Sequence, residues 1–325
     1  MFSAYGCEVG VVGESTLHQR IPYVYIGNDK SNCIIVQGGI HAREHITSLL
    51  VVNMAKHLLK RNDLLLLGGI YFLPMVNVDG VRLAQEGLDF VKSSKRRQEL
   101  IDLNGGSIDF SLWKANIRGV DLNVNFDASW GKGEQNVDYP ATANYIGSKP
   151  ESEKETRCLV NFTREVNPLA TLSYHCKGEV IYWRFGQTMN KLWMHYRLAK
   201  AIAEDTGYAL AHDKGSVGGY KDWCIHQLGI PAFTIEVGSD YYKHPYPYSD
   251  FFNIFRINKD VPRKLLNSVV KMKQTAVKHS IIKNGIPIDD EVDYQLITQD
   301  SVDDNQEQLD NITNCTDEQP DNHSS

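Results

Sequence analysis

Six cysteines in 325 residues, at positions 7, 33, 158, 176, 224 and 315, form no Cys-x-x-Cys pair and follow no short regular spacing. That excludes a cysteine-built structural zinc site and a dense disulfide framework, and predicts scattered free thiols. No uninterrupted apolar run approaches the roughly eighteen residues of a membrane-spanning helix. The N-terminus lacks the basic stretch and following apolar segment of an export signal, so neither feature is predicted. Residues 289–325 contain twelve Asp or Glu and no Lys or Arg. The formal charge of −6 therefore belongs to that tail, since the preceding residues carry 34 basic against 28 acidic side chains. A body of net charge near +6 suits a peptide substrate with free carboxylates, but is too dilute for a nucleic-acid surface, so no nucleic-acid partner is expected.

With 42% hydrophobic and 10% aromatic residues, the chain can bury a large core. Short β-branched runs bounded by turn residues predict strands over 23–26, 33–37, 70–74, 170–174, 180–183 and 232–235. Helical patterns lie between them, over 44–60, 152–165, 187–206, 219–227 and 259–279. The second opens on Ser152-Glu-Lys-Glu155, which reads as a capping box. Alternating strands and helices predict an α/β fold, a single domain with a mixed, mostly parallel central sheet covered by helices on both faces. That domain is expected over 1–285, followed over 286–325 by an acidic tail without a packed core.

One segment carries chemistry. Gln37-Gly-Gly-Ile-His41-Ala-Arg-Glu44-His45 places an apolar strand, a glycine turn and a His-x-x-Glu at the start of a helix. His41 and Glu44, three residues apart, can face one ion above the strand's end. A second strand ends on His175. Two imidazoles and one carboxylate with an open fourth position make the ligand set of catalytic zinc hydrolases, and predict one zinc ion held by His41, Glu44 and His175. An isolated His-x-x-Glu is more often a surface pair. Pairing His41 with His45 is the competing arrangement, but a thermolysin-type site needs Glu directly after the first His, and Ala42 stands there.

Four further segments occur in order: Phe72-Leu-Pro-Met-Val-Asn77-Val-Asp79-Gly80, Trp113-Lys114-Ala-Asn116-Ile-Arg118-Gly-Val-Asp121-Leu-Asn123-Val124-Asn125-Phe126, Ser173-Tyr-His175, and Asp222-Trp223 followed by Phe233-Thr-Ile-Glu236-Val. Over residues 15–280 this set resembles the carboxypeptidase A-like zinc metallocarboxypeptidases. The resemblance implies a zinc metallopeptidase in which His41, Glu44 and His175 hold the metal. It implies Glu236 as the general base that takes the proton of the attacking water, a role a carboxylate beside a cation can fill at neutral pH. It implies Asp121 as the acceptor for the free N–H of His41, against the alternative of a turn aspartate. Arg43 and Asn123 fall at positions that contact substrate.

The chain departs from that pattern in three places. Lys114, with Arg118 as a nearby second donor, stands where other members use arginine to stabilise the developing oxyanion. Val124 replaces the arginine that clamps a terminal carboxylate. Lys214 occupies the place of the tyrosine over the substrate pocket; Tyr220 in the same glycine-rich loop is the candidate substitute, unless it merely packs. These departures are similar to the bacterial γ-D-glutamyl-L-diamino-acid peptidases, which cut peptidoglycan stem peptides. The resemblance thus implies hydrolysis at a γ-D-glutamyl–diamino-acid link, where free carboxylates flank the scissile amide and Arg43, Lys114, Arg118, Lys177 and Lys214 are available to meet them. An ordinary carboxypeptidase, a deacylase of small N-acyl amino acids and a silent binding module on the same fold are the competing readings.

Overall fold

The computed structural model describes residue 2 and residues 7–60, 67–211 and 215–283. The chain forms two compact units, Met1–Gln274 and Thr275–Ser325. The first holds everything that follows. The acidic tail expected from residue 286 and Lys214 lie outside the described residues.

The described strands form one sheet in the order β1-β2-β4-β3-β5-β8-β6-β7. They are β1 (Glu8–Glu14), β2 (Arg20–Gly27), β3 (Cys33–Gln37), β4 (Gly69–Leu73), β5 (Ala170–His175), β6 (Val180–Tyr182), β7 (Ala209–Ala211) and β8 (Ala232–Glu236). The centre, β4-β3-β5-β8, is parallel, as is β6 with β7; β1, β2 and the β8–β6 junction are antiparallel. β3, β4 and β5 are buried along their whole length, as strands with cover on both faces must be.

Alternation along each strand sorts the core into two layers. Ile34, Val36, Ile70, Phe72, Leu172 and Phe233 face one layer, filled by Leu50 and Met54 of α1 (His45–Leu59), Leu198 of α5 (Met189–Thr206) and Leu266 of α8 (Val261–Lys283). Cys33, Ile35, Tyr71 and Leu73 face the other, against Leu159 and Phe162 of α4 (Lys154–Val166) and Trp223 of α6 (Tyr220–Trp223). At the α6 end a π turn over Cys224–Leu228 continues the helix.

The sequence signals missed β1, whose Val9 and Val11 are exposed on a glycine-broken edge strand, and the three-residue β7. They also missed α2 (Val78–Glu86), α3 (Ser94–Leu103) and α7 (Phe251–Asn258). The capping box at Ser152 does not form. Helix α4 starts at Lys154, and the buried Glu155 instead accepts the Thr16 backbone N–H at 2.7 Å.

Candidate active site

The site lies above the C-terminal ends of β3, β5 and β8, on the side where parallel strands open a crevice between diverging connections. After β3 the chain turns through Gly38 and Gly39. Gly39 has φ +62°, and a Cβ there would lie 2.3 Å from Ser48 Oγ, so the turn requires glycine. Residues Ala42–Glu44 form a 3-10 turn before α1, which sets His41 in extended backbone and swings Glu44 back beside it. The buried Asn77 amide donates to Ile40 O and Ala115 O, both at 3.1 Å, and its oxygen caps α2 by accepting from Gly80 N–H. One side chain thereby ties the loop of His41 to the loop of Lys114.

Three ligating groups converge. His41 Nδ1 lies 2.9 Å from Glu44 Oε1 and 3.2 Å from His175 Nδ1, while His175 Nδ1 lies 3.4 Å from Glu44 Oε2. All three are buried, and they form the metal-capable group found among the described residues. Two donors each about 2.0–2.1 Å from a tetrahedral zinc ion stand roughly 3.3 Å apart, which these separations bracket. The donor set fits the metal chemically as well: His175 and His41 turn ring nitrogens towards one point, which costs repulsion unless a proton or a cation sits between them. His45 is not part of the group. Its ring packs on Tyr248, 5.2 Å between centroids, and its Nδ1 bonds the Tyr248 hydroxyl.

Charges around this group are arranged in a chain. His41 Nε2 is 3.2 Å from Asp121 Oδ1, and Asp121 Oδ2 is 2.8 Å from Lys114 Nζ. Asp121 also accepts backbone N–H groups from Asn123 at 3.0 Å and Asn144 at 3.2 Å, so the turn aspartate and the histidine partner are one residue. Burial works against its charge, but Lys114 and His41 hold its carboxyl well below the carboxylate range. Burial likewise opposes the Glu44 charge and is outweighed by His41 and His175. His41 and Lys114 rise for the mirror reason: burial lowers them, and Glu44 and Asp121 respectively more than compensate.

Glu236 ends β8 in register with His175 on β5. Its side chain keeps part of its surface open to water, yet burial pushes its pKa up to about 8, with Glu44 adding to the rise and His175 and Lys114 opposing it. A carboxyl poised near neutrality beside a metal-capable group can accept and return a proton.

The zinc carboxypeptidase family matches residues 6–256. The chain belongs to this family. It is 34% identical over 271 residues to γ-D-glutamyl-L-diamino acid endopeptidase 1 of Lysinibacillus sphaericus, covering 75% of this chain and 63% of that protein. It is 30% identical over 233 residues to human mast cell carboxypeptidase A, covering 65% and 52%. The chain thus spans less than two thirds of the length of these relatives. Its fold is shared with bovine thrombin-activatable fibrinolysis inhibitor, solved in complex with tick carboxypeptidase inhibitor, at TM-score 0.68 and 22% identity over 83% of this chain and 93% of that one. Zinc carboxypeptidases depend on zinc, and His41, Glu44 and His175 could bind the ion.

Against this family pattern the remaining expected residues divide. Lys114, Asn123 and Val124 line one cavity of about 200 Å³ together with Glu134, Asn136 and Asn144. Asn144 Oδ1 accepts from Lys114 Nζ at 3.3 Å. Arg43 is half-buried, and its Nε meets no acceptor on the protein. Arg118 does not join them: its side chain is 57% exposed and its Nε lies 3.5 Å from Glu153 Oε2, because the Glu153 carboxylate nearby claims the guanidinium. Tyr220 is a correction. It is fully buried, stacks on Trp223 and bonds Thr163 Oγ1 at 2.7 Å, so it builds the core and not the substrate pocket. Lys177 is anchored to Asp240, 2.8 Å away.

Sequence reasoning missed His244, whose Nδ1 is buried without a partner. Burial lowers its pKa to about 4, with Glu44 favouring its charge and Arg43 opposing it. No spacing signal marks it, since it arrives on the loop after β8.

Proposed function

We propose that this protein hydrolyses amide bonds in bacterial cell-wall stem peptides, at a link between γ-D-glutamate and a diamino acid. The observation that carries the hydrolytic part is the convergence of His41, Glu44 and His175 within 4.8 Å of one another, with Glu236 on the adjoining strand end. The substrate class is supported by the 34% identity to the Lysinibacillus sphaericus endopeptidase over 75% of this chain, and by Val124 in the clamp position.

His41, Glu44 and His175 would hold the zinc ion, with Asp121 orienting His41. Bound there, zinc supplies Lewis-acid polarisation of the scissile carbonyl and activates a water. Glu236 takes a proton from the attacking water as the C–O bond forms, and delivers it to the leaving nitrogen as the C–N bond breaks. Lys114, fixed by Asp121 and Asn144, presents its ammonium where negative charge develops on the carbonyl oxygen. A γ-glutamyl link leaves an α-carboxylate beside the scissile bond. Arg43, with an unused buried Nε–H, is the donor that meets such a carboxylate.

The experiment is hydrolysis of L-Ala-γ-D-Glu-meso-diaminopimelate by the zinc-loaded protein, beside a Glu236→Gln variant and a hippuryl-amino-acid substrate. Cleavage of the γ-link by the wild type alone is the expected result. Cleavage of only the hippuryl substrate makes it an ordinary carboxypeptidase, and cleavage of neither overturns the enzymatic reading.

A further inference from the structure

The cavity lined by Lys114 has a property that the hydrolytic mechanism does not use. At one end sit Lys114 and Asn123, beside the Asp121–His41 chain; on its wall stands an acid, Glu134. Lys114 is paired with Asp121 and not with Glu134. The Glu134 carboxylate lies exposed over Gly215, where an added Cβ would approach its Oε2 to 3.0 Å. Its backbone is fixed, since Glu134 N–H donates to Gly215 O at 2.9 Å and the following loop closes through Asn136 N–H to Gly133 O and Val137 N–H to Asn144 O. Glu134 and Lys114 line this recess with the amides of Asn136 and Asn144, and since Lys114 is paired with Asp121, Glu134 is the carboxylate on it available to a cationic group. Val124 lies in the same wall and supplies no charge.

We propose that Glu134 reads the distal ammonium of the residue on the leaving side of the scissile bond, so that this cavity selects a diamino acid over an otherwise identical monoamino acid. The inference rests on the stem-peptide reading for the identity of the leaving residue, though not for the chemistry of the recess. Glu134 is a specificity-determining residue here; it takes no part in proton transfer. Diaminopimelate, whose side chain ends in an ammonium and a carboxylate, offers Glu134 the ammonium.

The test compares leaving residues that differ only in that ammonium: L-Ala-γ-D-Glu joined to meso-diaminopimelate or to L-2-aminopimelate, and hippuryl-lysine beside hippuryl-norleucine. The wild type should favour the ammonium-bearing member by about fivefold in kcat/KM, carried by KM, as for a partly solvated ion pair. Glu134→Gln should abolish the preference, with the loss falling on the diamino substrate, and Glu134→Asp should restore part of it. Retained preference in Glu134→Gln, or an equal loss on both members of a pair, overturns the proposal. If only the hippuryl pair is cleaved, the stem-peptide reading fails while the lysine-to-norleucine ratio still decides the role of Glu134. If neither is cleaved, calorimetric binding of free meso-diaminopimelate and 2-aminopimelate to the zinc-loaded protein decides it, and equal affinities overturn it.

Discussion

The floor of the site and its rim are built differently. On the floor, His41, Glu44, His175 and Asp121 are all buried and touch one another within 3.4 Å; the first three stand at or just after strand ends, and Asp121 caps a short turn. Around the rim, Arg43, Lys114 and Glu134 come from turns and loops, and their polar groups face a cavity or lack a protein partner. A buried cluster of charge and imidazole cannot lose one member without stranding another, so its composition is held. Rim residues meet water or substrate instead, and Lys114 and Val124, the positions at which the resemblance leads to an expectation of arginine, line the cavity there.

That contrast can be broken most severely from below. Asp121→Asn leaves His41 without its anionic partner and should weaken zinc affinity by about 10- to 100-fold, read by competition with a chelator. An unchanged affinity would mean that Asp121 serves only as the cap of its turn. At the rim, Val124→Arg should sharpen the comparison. A charge-assisted pair to a terminal carboxylate should raise kcat/KM for hippuryl substrates by roughly tenfold relative to the γ-linked substrate. No gain would show that this position no longer faces the leaving residue.

Glu236 joins the two regions. Burial, with Glu44 adding, raises its pKa to about 8 without the ion, which favours the protonated carboxyl. A bound cation favours the carboxylate, and that proton must leave as zinc enters. Titrating zinc into the metal-free protein at pH 7, in buffers of different ionisation heat, should therefore show about one proton fewer released by Glu236→Gln than by the wild type. The smallest effect belongs to Tyr220. Tyr220→Phe removes the hydroxyl that bonds Thr163 and should cost about 1 kcal/mol of stability, measured by denaturant unfolding, with KM unchanged. A raised KM would return Tyr220 to the pocket.

What the sequence revealed follows the same division. The short β-branched runs of β3, β5 and β8 marked buried strands, and their ends marked His175 and Glu236 as polar residues that a core strand would otherwise exclude. The His41-Ala-Arg-Glu44 spacing was legible because the glycine turn and the helix start around it are local. The rim was not legible in this way. Glu134 reaches the cavity through a bond to Gly215 some eighty residues along, and His244, with its buried and unpartnered Nδ1, arrives on the loop after β8. Tyr220 misled because its glycine-rich neighbourhood resembles an open loop, whereas its backbone N–H bonds Asn123 and starts a helix that carries the ring into the core. The sequence offered Arg118 only as a second donor near Lys114, and only the fold revealed the Glu153 carboxylate that its guanidinium faces.

The most direct test of the central claim is to measure zinc content and γ-linked hydrolysis together in the wild type, His175→Ala and Glu236→Gln. The arrangement predicts that His175→Ala loses both the metal and the activity. Glu236→Gln should retain stoichiometric zinc while its kcat falls by about 10²- to 10⁴-fold, the share that a positioned proton carrier contributes. Full zinc retention by His175→Ala, or undiminished turnover by Glu236→Gln, would contradict it.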